Sequence, residues 1–128
     1  MPNDYLVEME FAPFSNVPTP QEALSFAERF VQPTLAACQA LLASGRILAG
    51  GTALAATRFI FVARSESSQE LEDTLAALPL WPRSQTRVVP LGTFEDRSRI
   101  AVDRIGKLRA YLSVQAAAPV STSSAVSP

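Results

Sequence analysis

The sequence predicts an α+β fold: a ferredoxin-like βαββαβ unit followed by one further helix. Three observations predict it. Stretches of two-residue and of helical periodicity follow one another in the order strand, helix, strand, strand, helix, strand. The clearest strand, "TRFIFVAR" (57–64), is apolar on both faces, with Phe59, Phe61 and Ala63 opposing Ile60 and Val62. And "LPLWP" (78–82) sets two prolines around the only tryptophan, a stiff corner that stops a helix and turns the chain into a strand.

"DYLVEMEF" (4–11) opens the order: Tyr5, Val7, Met9 and Phe11 alternate with Leu6, Glu8 and Glu10, the pattern of a strand. "TPQE" (19–22) supplies Thr19 as N-cap, Pro20 at the first helical position and Glu22 to complete a capping box. The helical pattern runs to Ser44 and stops at Gly45, with Pro33 expected to bend or break it near residues 31–32. "RILAGGTALA" (46–55) reads as the second strand, where Gly50 and Gly51 mark a bulge or a close backbone approach. After the third strand, "SSQELEDTLAAL" (67–78) is a short helix capped by Ser67 or Ser68, with Leu71, Leu75 and Leu78 on one face. "QTRVVPL" (85–91) is the last strand, and Pro90 assigns it to an edge or a bulge. "TFEDRSRIAVDRIGKLRAYL" (93–112) is the added helix, with Ala101, Ile105, Leu108 and Leu112 along one stripe. The expected organisation is one domain over 1–112 and a small-residue, disordered tail over 113–128.

Composition narrows the function. The single cysteine, Cys38, has no internal partner, and the acidic start "MPNDYLVEME" has no leader pattern, so a reducing cytoplasm is the expected setting. With a net charge of −1 and no long apolar run, neither nucleic acid nor membrane is an expected partner. The chain holds no histidine, which removes Ser/His and Cys/His nucleophile pairs and most zinc and non-haem iron sites. No metal and no cofactor are expected. The added helix carries Arg97, Arg99, Arg104, Lys107 and Arg109, but Glu95, Asp96 and Asp103 interrupt them. A solvated face is expected there rather than an RNA-binding one.

A sheet with helices on one face leaves the other to water unless something covers it. Here Ile60, Val62, Val88 and their neighbours make both faces apolar. Either the sheet of a second copy covers the open face, which makes the protein a homodimer or higher oligomer, or the 93–112 helix folds back over it.

"YLVEME", "ESSQELEDTLAALPLWP" and "VVPL" resemble the muconolactone isomerase family, in which an "LPLFP"-type corner delivers the last helix to the last strand. The likeness spans residues 4–92 at most. It implies pairing into a dimeric α+β barrel whose two sheets enclose a pocket. It also implies a cofactor-free allylic proton shift on a small unsaturated lactone from aromatic catabolism. Family members of known activity carry aromatic, basic and histidine side chains on the second strand, where this chain has "ILAGGTALAAT". A non-catalytic barrel that binds a small apolar molecule or a protein partner therefore stands as an alternative, as does a cofactor-free monooxygenase.

Such a proton shift needs a base beside the acidic carbon, and with no histidine and one lysine the carriers are carboxylates. Glu10 is the first candidate and Glu8 the second, on one face of the first strand, with Arg58 to stabilise the developing dienolate. The plainer reading pairs these carboxylates with Arg58 or Arg64 on the neighbouring strand. Arg46 would hold a substrate carboxylate through its planar fork, Thr52 would donate a hydrogen bond, and Trp81 would close one end of the barrel. Solvation of a strand-end arginine and ordinary strand propensity are the plainer readings of Arg46 and Thr52. Cys38, in an apolar helix without a basic neighbour, reads as a packing residue.

Overall fold

The computed structural model describes residues 2–12, 16–53 and 57–117. β1 (Asn3–Phe11), α1 (Pro20–Phe26), α2 (Gln32–Ala43), β2 (Ile47–Thr52), β3 (Arg58–Ser65), α3 (Ser68–Ala76), β4 (Ser84–Leu91) and α4 (Phe94–Ala117) follow in that order. The four strands form one antiparallel sheet in the order β2-β3-β1-β4, so β1 and β3 are central and β4, with Pro90, is an edge. This is the predicted ferredoxin-like arrangement. Residues 54 and 55 of the expected second strand lie outside the described residues.

Strand alternation sorts the sheet into two faces. Tyr5, Val7, Met9, Phe59, Phe61 and Ala63 are buried together with Phe26, Leu71, Leu75, Leu78 and Leu80, which puts the α1–α3 helices on that side. The opposite face carries Leu6, Ile60 and Val62, all half-buried, and Val89. Val88, expected there, stands instead beside buried Val7 on the helix side, and Val89 opposite Leu6 takes its place.

Thr19 caps α1 in both directions: its side chain accepts from Glu22 N–H, and Glu22 accepts from Thr19 N–H at 2.9 Å. These hydrogen bonds hold the Glu22 carboxyl below the usual carboxylate range. The break expected at Pro33 takes the form of a π-helical stretch, Ala27–Val31, between α1 and α2. Proline brings no N–H and crowds the carbonyl four residues back, and one wider turn accommodates both effects without a sharp kink. Gly45 ends the helix at φ 81°.

The register of β2 on β3 shifts between Ile47 and Ala49, a bulge just before the glycine pair. Gly50, at φ 145°, lies so close to β3 that a Cβ there would stand 2.4 Å from the Ile60 carbonyl oxygen. The close approach is therefore to the neighbouring strand. At the proline corner Leu78 and Leu80 are buried, and Trp81 packs half-buried against the core. Trp81 N–H donates to Leu78 O at 2.9 Å, and Ser84 Oγ donates to Leu80 O at 2.6 Å, which fixes the turn into β4.

Residues 1–91 and residues 92–128 form two compact units. In the second, Thr93 Oγ1 accepts from Asp96 N–H and caps α4. The helix continues to Ala117, five residues into the stretch expected to be disordered, because Ala116 and Ala117 favour helix. Residues 118–128 lie outside the described ones. Among the described residues no helix is long and apolar enough to cross a membrane.

Candidate functional site

β1 is central, so each of its side chains meets a neighbour on both sides. On the face away from the α1–α3 helices, Glu10 stands between Arg58 of β3 and Gln85 of β4. Glu8 stands between Ile60 and Arg87. Glu8, Glu10, Arg58, Gln85, Thr86 and Arg87 line a hollow of about 390 Å³. Two carboxylates and two guanidiniums thus meet on the two strands flanking β1 and on β1 itself.

Arg58 Nη2 lies 3.6 Å from Glu10 Oε2, with 42% and 58% of the two side chains exposed. A pair that open to water contributes little to stability, about 0–1 kcal/mol, and is readily rearranged by a ligand. The pairing of Glu10 with Arg58 that cross-strand geometry suggested is present. Arg64 is engaged elsewhere: its Nε and Nη2 donate to the two oxygens of Asp4 at 2.9 and 3.2 Å. That fork holds the Asp4 carboxyl below the usual range.

Arg87 is the residue that sequence reasoning missed. Beside Glu8 in register, it joins no ion pair among the described residues. Its signal in the sequence is the alternation of Arg87, Val88 and Val89 in "TRVVPL", whose facing only the pairing with β1 decides.

Thr52, Trp81 and Arg46 are not brought to this hollow. Thr52 pairs with buried Phe59 on the helix side, in a separate hollow of about 230 Å³ lined by Leu35, Cys38, Leu42 and Ile47. Burial pushes the Cys38 thiol up, consistent with a packing role. Arg46 reaches α3, donating to Thr74 Oγ1 and lying 3.8 Å from Glu70. Trp81 packs on the core beneath the proline corner.

The hollow therefore offers carboxylates to move a proton and guanidiniums to meet an anion, on the face that the α1–α3 helices leave uncovered. A family model described as muconolactone delta-isomerase matches residues 4–97. Among solved structures, a crystal structure of muconolactone isomerase at 3.3 Å resolution is similar. The TM-score is 0.58 and the identity 22%, over 70% of this chain and 88% of that one. No curated protein matches the chain.

Proposed function

The chain belongs to the muconolactone delta-isomerase family, and from that premise we propose that it catalyses a cofactor-free allylic proton shift on a small unsaturated lactone. The observation that carries this reading is the shared placement of Glu8, Glu10, Arg58 and Arg87 around one hollow.

In this mechanism the Glu10 carboxylate removes the proton of the ring carbon beyond the conjugated double bond, which the carbonyl acidifies through that double bond. The electron pair moves into a dienolate whose negative charge gathers on the carbonyl oxygen. Arg87 and Arg58 face that charge, and among the described residues Arg87 has no ion pair to give up. The protonated Glu10, directly or by passing the proton through Glu8 beside it, returns it to the carbon next to the carbonyl. The double bond has then moved, with no change of oxidation state. Glu10 leaves its exposed pairing with Arg58 as substrate enters, at little cost.

The hollow is open in a single chain. The sheet of a second copy, laid over Leu6, Ile60, Val62 and Val89, would enclose it and exclude water, which strengthens the electrostatics of the step. A homodimer is thus part of the proposal. The one cysteine and its half-burial suit a reducing cytoplasm as the setting. The test is turnover of muconolactone by the purified chain, followed by NMR. Conversion that Glu10→Gln reduces supports the reading, and no conversion by the wild type overturns it.

A further inference from the structure

The family model ends at residue 97, one turn into α4, so nearly all of this 24-residue helix lies beyond what the family match describes. No residue of α4 is buried, although Ile105, Leu108 and Leu112 are large and apolar, with 49%, 60% and 61% exposed. These residues form the centre of the stripe, with Ile100 and Tyr111 bordering it on one side and Val102 on the other, all exposed. Ser98, Ala101, Ile105, Leu108, Leu112 and Gln115 follow one another at alternating steps of three and four. That spacing is the a/d seam of a coiled coil. The acids of the helix lie off the seam, where Asp96 pairs with Arg99 and Asp103 with Lys107 at 3.2 Å.

We propose that α4 pairs with α4 of a second copy as an antiparallel coiled coil. Antiparallel seams place a residues opposite d residues. Here one register puts Ile105 against Leu108 of the second copy, Ala101 against its Leu112, and Ser98 against its Gln115. The same contacts repeat in reverse by two-fold symmetry. Each layer then sets a large side chain against a smaller or equal one, and the polar pair closes both ends. The flanks agree. Arg104 falls beside Tyr111 of the second copy, a cation facing an aromatic ring, and Arg109 beside Val102, over which its stem can lie. The parallel alternative sets Arg104 against Arg109 of the second copy, like charges at the positions that choose partner direction. Charge and side-chain size thus select the antiparallel pair. It is a contact separate from the sheet-to-sheet one proposed above.

The test uses the full chain with Cys38→Ala, Ala101→Cys and Leu112→Cys, oxidised at micromolar concentration and examined without reductant. Eleven residues of helix hold the two new thiols about 16 Å apart within one chain, too far for an internal bridge. The larger part of the chain is expected as a covalent dimer. Trypsin, cutting at Arg104, Lys107 and Arg109, should then release the peptide of position 101 joined to that of position 112. Adding Leu108→Asp should abolish the dimer while circular dichroism shows the fold retained. Links of 101 to 101 and 112 to 112 would overturn the proposal in favour of a parallel pair. Absence of a covalent dimer would overturn it too, since the stripe would then be covered by its own chain or by another partner.

Discussion

The hydroxyl of Thr34, wholly buried on α2, accepts the Leu80 N–H at 3.1 Å and donates to the Phe30 carbonyl at 2.7 Å. One side chain joins the end of the π-helical stretch to the proline corner 46 residues later. Replacing it by the isosteric valine leaves a buried N–H without an acceptor. Thr34→Val should cost about 1–3 kcal/mol. For a unit of this size that lowers the melting temperature by about 5–15 °C. Calorimetry showing a change of a degree or less would mean that water or a shifted backbone supplies the missing acceptor.

The two neighbouring glycines of β2 should respond in opposite ways. A Cβ on Gly50 would overlap the Ile60 carbonyl and the Phe61 backbone in a conformation that L residues rarely adopt, whereas one on Gly51 meets nothing within 4 Å. Gly50→Ala should destabilise by about 2 kcal/mol or more, and Gly51→Ala should be neutral or slightly stabilising. Urea titrations of the two variants check this, and equal midpoints would contradict it.

Acid should weaken the link between Asp4 and Arg64. The hydrogen bonds from Arg64 lower the Asp4 pKa in the folded chain, so their stabilisation is full above the unfolded value, about 4. It is lost as pH falls through the lower folded value. Both groups are open to water, so the effect is small and weakens with salt. Asp4→Asn should melt lower than the wild type at pH 7 and level with it near pH 2. A difference that persists in acid would assign the loss to something other than the ion pair.

Assembly through the sheets should survive loss of the α4 contact. Light scattering of the Ile105→Asp, Leu108→Asp chain at micromolar concentration should still give the mass of at least two chains, because Leu6, Ile60, Val62 and Val89 remain to be covered. A monomer mass would leave that face, and the hollow within it, open to solvent.

These outcomes rest on features that the sequence discloses unevenly. Alternation in "DYLVEMEF" is enough to set Glu8 and Glu10 on one face, and the capping box and proline corner are local enough to read directly. Arg87 is not legible in the same way, because its place beside Glu8 depends on the register of β4 against β1, which no local pattern encodes. The bond from Thr34 to Leu80 is hidden for the same reason. For Arg46 and Thr52 residue type alone suggests a site. The side chain of Arg46 is engaged by α3, and the pleat turns Thr52 to the helix side. Pro33 announced an interruption, but its resolution as a π-helical turn depends on how the helix packs.

The central claim is that Glu10 moves the proton. It is tested most directly by following muconolactone in deuterated water by NMR, with wild type, Glu10→Gln and Glu8→Gln side by side. The wild type should shift the double bond and place deuterium at the newly protonated carbon. Glu10→Gln should slow this by about a hundredfold or more at unchanged melting temperature. Undiminished isomerisation by Glu10→Gln would contradict the account.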